Sequence, residues 1–487
     1  MFNRITSAAT IIFICFTIWV SAQPADTLTF TLQQVIQLAN QQSPSAKIAK
    51  TTLDNKYWQY RTYKSNYLPQ LGLSGTVPDF YNSYNSVTQQ DGSIEFRKQS
   101  FSTSSLNLNL SQNIGFTGGQ IFLSSYFQRL DALSDPEDVS YLANPVVIGI
   151  SQPLFRFNSL KWDSKIQPLL YEESIRQYKE DLEQVSIIAS ERFFNLLISE
   201  IRIRIETENL ANNDTLYQIA KGRYNLGKIA ENELLQMELS VMNARSNLAQ
   251  ARLDRDENTL LLRNNLNIKG NQPITLIEPE LIPDFVVDEQ IALQQARQNR
   301  QQVIEFNRKR LEADRNVAQA RGNNGLNADL VATYGLTNST TSINSVYNNP
   351  LDQQRVNLTF QIPILDWGRT RSQVRTAEAE RELTRTIIDQ DEQNFEQEVL
   401  LLSRKFSQQR EKLIIASRAD TIAQKRYDIT MKRYLIGKID ITELNIALQE
   451  KDNAKVNFIA SLSQFWNAYF DVRRKTLYDF ENNSPIK

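Results

Sequence analysis

Apolar residues recur every three or four positions along two long stretches of the sequence, and polar residues fill the positions between them. One such seam runs from Ile175 to Leu196 and another from Phe395 to Ala416. Narrow seams with this spacing are typical of long, coiled-coil-like helices. Proline, which breaks helices, is absent from residues 169–272 and 364–484. A helix from about Ser159 to Tyr224 would be roughly 100 Å long at about 1.5 Å per residue.

Other regions have a period of two residues, which is typical of strands with one apolar and one polar face. Leu106, Leu108 and Leu110 alternate with asparagines, and residues 326–333 and 356–362 alternate in a similar way. Such strands suit a barrel wall between lipid and water. On this interpretation, four polar positions face a water-filled lumen: Asn327, Asp329, Asn357 and Gln361. The alternative, that they form the polar side of a soluble β-layer, stays open at this point.

The number of strands determines what one chain can build. We assign two wall strands to each half of the chain and predict exposed loops at 81–99 and 338–349, which are rich in Asn, Ser and Thr. Residues 101–129 hold two more strand-like runs, which we place at the rim or outside the membrane, and a six-stranded protomer stays open. Membrane barrels need at least about eight strands, so several copies must share one barrel. Three copies with this assignment would give about 12 strands.

An internal repeat explains why the same elements occur twice. The sequence RYNLGKI at 223–229 recurs as RYLIGKI at 433–439, and Pro153 recurs as Pro363 at the same offset of 210 residues. Each repeat is predicted to contain a short opening helix, strands, and two long helices joined by a glycine turn. The predicted organisation is a signal peptide at 1–22, a first repeat at 23–267, a linker at 268–288, a second repeat at 289–478 and a polar tail at 479–487.

The start of the chain has two separate signals. Arg4 precedes an almost wholly apolar run that ends in small residues, which is typical of a signal peptide cleaved after Ala22. Thr31 and Gln34 then form a candidate capping box for the opening helix. We expect Pro44 to break that helix after one or two turns.

The composition argues against catalysis and against nucleic-acid binding. The sequence contains no histidine, and its one cysteine, Cys15, lies inside the predicted signal peptide. The commonest general base and the commonest metal ligand are therefore missing, and we predict no catalytic residue, no cofactor and no metal. Its 54 basic residues balance 55 acidic ones, which gives no footprint for nucleic acid. No stretch after residue 22 approaches the length of a membrane helix.

The repeat, the proline-terminated strands and the paired Tyr-x-x-Gly turns resemble the TolC-type outer-membrane efflux protein family over nearly the whole mature chain. The resemblance implies a mainly helical fold with membrane β-structure. Long helical hairpins would form a coiled-coil-like α-barrel, and the protomers of a homotrimer would share a β-barrel of 12 strands. It also implies a passive exit duct in outer-membrane lipid with a large periplasmic part. Such a duct works with a periplasmic adaptor and an inner-membrane efflux pump or ABC transporter, in tripartite efflux or type I secretion.

The two glycine turns are the first candidate site. Each is predicted to be a turn between long helices in which glycine adopts a positive φ. The family uses these tips to meet the adaptor, which implies contact roles for residues of both turns. They are Arg223, Tyr224, Leu226, Gly227 and Lys228 in the first tip, and Arg433, Tyr434, Ile436, Gly437 and Lys438 in the second.

A second candidate site lies just beyond the tips. Glu233 and Glu443 each follow a tip glycine by six residues. The resemblance implies that Glu443, and with it Glu233, lines the periplasmic aperture, where three copies would form a ring that attracts cations. A hydrogen bond from Tyr434 to Glu233 would help to hold that aperture shut. Ordinary solvated charges on a helix are the alternative interpretation.

Two other classes of protein remain as alternatives. A periplasmic coiled-coil adaptor would have one helical hairpin, whereas this sequence has two equivalent ones. A secreted hydrolase would need Asp or Glu pairs in a pocket, and none stands in such a context. The sequence does not identify the exported substrate, the pump or the adaptor.

Overall fold

The computed structural model describes residues 28–133, 138–279 and 285–486. The predicted signal peptide at 1–22 and residues 280–284 of the predicted linker lie outside these ranges. The described residues form two compact units. Unit 1 comprises the described residues within 1–44, 188–282 and 416–463, and unit 2 comprises the described residues within 45–187, 283–415 and 464–487.

Helices and strands follow one another in blocks. The helices of the described chain are α1 (Leu32–Gln42), α2 (Pro44–Ser65), α3 (Ser159–Asn225), α4 (Glu231–Leu266), α5 (Glu289–Asn299), α6 (Gln301–Asn323), α7 (Arg369–Leu435) and α8 (Ile441–Thr476). The strands are β1 (Leu28–Phe30), β2 (Gln70–Thr88), β3 (Ile94–Ile114), β4 (Gly119–Ala132), β5 (Asp138–Leu154), β6 (Ile274–Leu276), β7 (Asn327–Thr340), β8 (Leu351–Gln361), β9 (Tyr478–Asp479) and β10 (Ser484–Pro485).

The long helices repeat with the offset found in the sequence. α3 and α7 contain 67 residues each, and α4 and α8 contain 36 each. α3 begins at Ser159 and α7 at Arg369, and α4 begins at Glu231 and α8 at Ile441, so both pairs are 210 residues apart. The predicted helix from about Ser159 to Tyr224 is confirmed. The uninterrupted apolar seams and the lack of interior proline over most of this length account for it.

The opening helix also follows its local signals. The Thr31 hydroxyl accepts a hydrogen bond from the Gln34 backbone N–H, and the Gln34 side chain accepts one from the Thr31 backbone N–H. This reciprocal pair is the predicted capping box. α1 ends at Gln42 after 11 residues, about three turns, which is longer than the one or two turns expected. Pro44 then occupies the first position of α2, where its missing N–H costs little.

Six strands of unit 2 form one antiparallel sheet in the order β2-β3-β4-β5-β7-β8. The sheet therefore has six strands where four were expected, and it includes residues 101–129, as in the six-stranded alternative that the sequence left open. β3 and β4 pair with each other from Phe101↔Ala132 to Ile114↔Gly119, and each also pairs with a further strand. The backbone groups of this segment are satisfied inside the sheet, which is why it is extended.

The loop expected at 81–99 is largely strand as well. β2 and β3 continue through it and meet at a turn near Gly92, which has a positive φ. This hairpin is rich in Ser, Asn and Thr and has no regular alternation of apolar and polar residues, so its sequence resembles that of an exposed loop. The loop expected at 338–349 agrees better with the structure, since β7 ends at Thr340 and a short 3-10 turn follows at Ile343–Ser345.

Each unit has its own core. In unit 1, β1 pairs in parallel with β6, and the Gln42 side chain donates to the Leu266 carbonyl. In unit 2, Phe406 packs against Phe465 with their ring centroids 5.4 Å apart. The partly buried Arg473 guanidinium donates to Glu183 at 3.0 Å and to Asp479 at 2.7 Å.

The end of the chain is more ordered than the predicted polar tail at 479–487 suggests. β9 pairs with β10, and Phe480 is buried. Burial raises the pKa of the Glu183 carboxyl, although its bond to Arg473 opposes this shift. Pairing with Arg473 is therefore what holds Glu183 and the first residues of the tail in place. None of the helices in the described ranges is long and apolar enough to cross a membrane.

Candidate functional site

The two hairpin tips of unit 1 have the same backbone. The first tip comprises residues 223–230 and the second comprises residues 433–440. Gly227 and Gly437 have φ angles of 66° and 72°, as predicted for turn glycines. In the first tip, the Gly227 N–H donates to the Tyr224 carbonyl at 2.8 Å and the Lys228 N–H donates to the Arg223 carbonyl at 2.9 Å.

The second tip repeats this pattern with nearly equal distances. The Gly437 N–H donates to the Tyr434 carbonyl at 2.9 Å, and the Lys438 N–H donates to the Arg433 carbonyl at 3.0 Å. Such a pair of bonds is the Schellman motif, which satisfies carbonyls at a helix C-terminus and favours glycine at this position. The hydrogen bonding of the backbone therefore explains why both repeats have a glycine three residues after the tyrosine.

The two tips pack against each other through one apolar cluster. Its buried residues come from both hairpins: Leu216, Ala220, Met237, Tyr434, Ile441 and Leu444. Partly buried side chains such as Ile229 and Ile439 surround it. This cluster holds the tips in a fixed relation, because its members come from α3, α4, α7 and α8.

Tyr434 is part of this cluster and not of the exposed surface. It is only 6% exposed, and the Arg223 guanidinium lies 5.7 Å from the centroid of its ring. Burial raises the pKa of the Tyr434 hydroxyl, and the Glu233 carboxylate adds to this shift, whereas Arg223 opposes it. Tyr434, Glu233 and Arg223 line one small cavity of about 70 Å³. Tyr434 and Glu233 thus lie close together within one chain, and the hydrogen bond between them stays a prediction.

The other predicted tip residues are accessible. Leu226 is 71% exposed and Ile436 is 66% exposed, and Lys228, Arg433 and Lys438 are exposed too. Each tip therefore presents a large aliphatic side chain beside basic groups. This combination suits a protein partner with an apolar and acidic surface.

Glu443 lies in the first turn of α8. Its backbone N–H donates to the Asp440 carboxylate at 2.9 Å, and its own carboxylate lies 3.8 Å from the Arg433 guanidinium. Both side chains of this ion pair are about half exposed, so the pair stabilises the tip little. Asp440 therefore caps the N-terminus of α8. The repeated tip motif did not predict this cap, although an Asp directly before the apolar Ile441 is a sequence signal for a helix start.

The four predicted lumen residues lie on one face of the six-stranded sheet. Asn327 is opposite Gln361, Asp329 is opposite Thr359, and Asn357 is opposite Val331. Asp329 also forms an ion pair with Arg156 at 3.0 Å. The alternation in the sequence therefore assigned these side chains to a common face.

α4 carries two apolar seams. One is buried in unit 1 and consists of Met237, Val241, Ala244, Leu248 and Ala251. The other is exposed and consists of Leu235, Leu239, Met242, Leu253 and Leu260. At 100° per residue the two seams lie on nearly opposite sides of the helix. Ile422 and Ile429 of α7 are also exposed at a seven-residue spacing, and Ile436, directly after the end of α7, continues this spacing into the second tip.

Comparison with known proteins assigns these features to a family. Residues 35–267 and 292–474 match the family model described as "Outer membrane efflux protein". The chain therefore belongs to the outer membrane efflux protein family. This confirms the resemblance to TolC-type channels and the predicted location in the outer membrane. Membership of a family of efflux channels is consistent with a protein that is not an enzyme. No curated protein sequence matches the chain.

Solved structures of outer-membrane channels share the fold. The CmeC outer membrane channel of Campylobacter jejuni has a TM-score of 0.65 and 16% identity, over 94% of this chain and 87% of that chain. CusC, a protein described as undergoing transmembrane channel formation, has a TM-score of 0.62 and 17% identity, over 92% of this chain and 91% of that chain. The open MtrE channel of Neisseria gonorrhoeae has a TM-score of 0.60 and 14% identity, over 91% and 88%.

Proposed function

We propose that the chain is one subunit of a trimeric outer-membrane channel, the passive exit duct of a tripartite efflux or type I secretion system. In this proposal the helical hairpins build a periplasmic tunnel and the sheet contributes to a membrane barrel. Family membership supports the efflux role. The alternative of a coiled-coil adaptor is less favoured, because the chain has two equivalent hairpins and belongs to the channel family.

The observation that carries the proposal is the exposed second seam of α4. A helix with apolar residues on two opposite sides needs a neighbour on each side. Within unit 1 only the seam that contains Met237 and Leu248 is buried, while Leu239 and Leu253 are 57% and 61% exposed. A tube whose wall is one helix thick meets this requirement, because each helix in it has two neighbours.

A second copy of the chain is the natural partner for this seam. The exposed Ile422 and Ile429 of α7, and Ile436 directly after its end, have the seven-residue spacing that pairs helices in coiled coils. An α4 seam of one copy can pack against the α7 seam of the next, and repeated head-to-tail contacts of this kind close a ring. The number of three copies is carried over from the resemblance.

The tips fit the coupling that the proposal requires. Leu226 and Ile436 are exposed on both tips beside Lys228 and Lys438. We assign these residues, with Arg223, Tyr224, Arg433 and the two tip glycines, to contact with a periplasmic adaptor. The adaptor would connect the duct to an inner-membrane pump or ABC transporter. Glu233 and Glu443 would line the aperture, where Tyr434 would hydrogen-bond Glu233 of an adjoining hairpin.

Mass measurement tests the assembly. The wild-type protein, extracted in detergent from outer membranes, is expected as a trimer of the mature chain. Leu253→Glu places a charge in the exposed α4 seam and is expected to shift the protein towards monomer, since a buried unpaired charge is costly. Gln236→Glu adds the same charge at an exposed position about 100° from either seam and should leave the trimer intact. A wild-type protein that is a water-soluble monomer would refute the proposal.

A further inference from the structure

One rung that crosses all of the six-stranded sheet is apolar at five of its six positions. The register of the five strand pairs connects Leu71, Leu110, Leu123, Ile148, Tyr334 and Gln354 side by side. The first five are exposed, with Leu71 at 69% and Leu110 at 36%. An exposed apolar band that runs over adjacent strands, including β3 and β4, is the surface that a membrane barrel presents to lipid.

The next rung faces the other way and has a different character. It consists of Gly72, Asn109, Ser124, Val147, Gly335 and Gln353. Five of these six residues are polar or glycine. Because successive side chains of a strand point to opposite faces, all six strands carry their apolar side chains on one face and mostly polar or small ones on the other. β3 and β4 share this pattern with the strands of the second repeat.

Each of the six strands is also long enough to span a bilayer. The shortest, β8, has 11 residues, and the longest, β3, has 21. A tilted membrane strand needs about 9–11 residues. The hairpin of β2 and β3 exceeds this length, so its turn at residues 89–93 would project beyond the lipid.

The two edges of the sheet are compatible with each other. All five strand pairs are antiparallel, so β2 and β8, at opposite edges of an even number of strands, run in opposite directions. The β8 edge of one copy can therefore pair antiparallel with the β2 edge of another. Both edges carry exposed apolar residues, such as Leu73 and Val356. An open edge in lipid would leave backbone groups unpaired, which membrane barrels avoid by closing.

We propose that every chain contributes all six strands to the barrel wall and that β8 pairs with β2 of the next copy. This inference rests on the trimeric channel proposed above. Three copies of the six-stranded sheet then give 18 strands, instead of the 12 that the family resemblance implies. The second copy is the occupant of both edges, because the opposed strand directions and the continuous apolar face allow the ring to close.

The wider barrel has a consequence for transport. Barrel diameter grows roughly linearly with the number of strands, and barrels of about 16–18 strands enclose an aqueous channel. The mostly polar rung with Asn109 and Ser124 would line it. Large hydrated solutes, and not lipid-like ones, are the class of cargo that such an outlet favours.

Disulfide crosslinking between copies tests the inference, because the only cysteine of the chain lies in the predicted signal peptide. Asn357→Cys on β8 is combined with Gly72→Cys, Ser74→Cys or Thr76→Cys on β2, and the three β2 positions sample three registers. Oxidation of the full-length protein in outer membranes is expected to convert the monomer band into covalent dimer and trimer bands for at least one pair. Reduction should reverse this shift.

A second set of variants tests the alternative in which each chain contributes only four strands to the barrel wall. If the hairpin of β2 and β3 left the wall, β8 would meet β4, and Asn357→Cys would crosslink with Gln120→Cys or Ser124→Cys. Crosslinking to β4, or to neither strand in a trimer, would overturn the six-strand wall while leaving the trimeric duct intact. A monomer by mass would instead refute the duct. A strand count by electron cryomicroscopy of the detergent-purified trimer gives 18 if the inference is correct, and 12 overturns it.

Discussion

Tyr224 at the first tip is 39% exposed, whereas Tyr434, its counterpart 210 residues later, is only 6% exposed. Both tyrosines precede a left-handed glycine by three residues, and in both tips the tyrosine carbonyl accepts the turn hydrogen bond from the N–H of that glycine. The backbones of the two tips are therefore equivalent while their side chains have different surroundings. Tyr434 packs among Leu216, Met237 and the other residues of the tip cluster.

The caps of the two tips differ as well. Asp440 accepts a hydrogen bond from the Glu443 backbone at the start of α8, but Ala230, at the same position before α4, has no side-chain cap. The second tip is thus better anchored than the first. The comparison teaches that duplication preserved the turn and that the surroundings then gave one tip a packing role and left the other more accessible.

Removal of the Tyr434 side chain should have the largest effect. Tyr434→Ala leaves a cavity in the tip cluster and is expected to cost about 3 kcal/mol, as for other buried aromatic side chains. Tyr224→Ala should cost less than about 1 kcal/mol, because that ring is partly exposed. Hydrogen–deuterium exchange of the intact protein in detergent measures both, and amides of the tips should exchange about a hundredfold faster in Tyr434→Ala.

A matched control separates packing from hydrogen bonding. Tyr434→Phe keeps the ring and removes only the hydroxyl, so exchange at the tips should change far less than in Tyr434→Ala. Equal acceleration in Tyr224→Ala and Tyr434→Ala would contradict the asymmetry between the tips.

Substitution of the two turn glycines should have an intermediate effect and should act equally on both tips. Each glycine has a positive φ and open space around a Cβ atom, so Gly227→Ala and Gly437→Ala should each cost about 1–2 kcal/mol of backbone strain alone. Gly222→Ala is the control, because Gly222 lies inside α3 with equal space, where alanine should stabilise the helix by about 1 kcal/mol. Local amide exchange reports all three, and unequal costs at the two turns would show that their backbones are not equivalent.

The helices and their turns could be predicted from the sequence because their signals are local. The seams, the absence of proline and the glycine three residues after each tyrosine specify α3, α7 and the Schellman turns. The strands of residues 81–129 were harder to predict from the sequence, since Ser, Asn and Thr occupy many of their positions. β3 and β4 are held by pairing with strands on both sides, and that pairing is a property of the whole sheet.

The different surroundings of the two tip tyrosines could not be predicted at all. Residues 223–229 and 433–439 are nearly the same sequence, so no local rule distinguishes Tyr224 from Tyr434. The difference arises because residues of α3 and α4 cover Tyr434 in the folded chain. The cap formed by Asp440 could have been predicted from the sequence, because Asp before an apolar run is a common helix start.

Substitution of the cap residues Asp440 and Ala230 should have the smallest effect, and it is the most direct test of the comparison between the two tips. Asp440→Ala removes the bond to the Glu443 N–H and should cost about 1 kcal/mol, which is about a fivefold faster exchange in the first turn of α8. Asp440→Asn keeps a capping oxygen and should behave like the wild type. Ala230→Asp should have the opposite effect and slow exchange in the first turn of α4 by a similar factor, because Ala230 already has the extended backbone of a cap. If Ala230→Asp left α4 unchanged while Asp440→Ala loosened α8, the missing cap would not be the reason why the first tip is less well anchored, and the difference in packing would be.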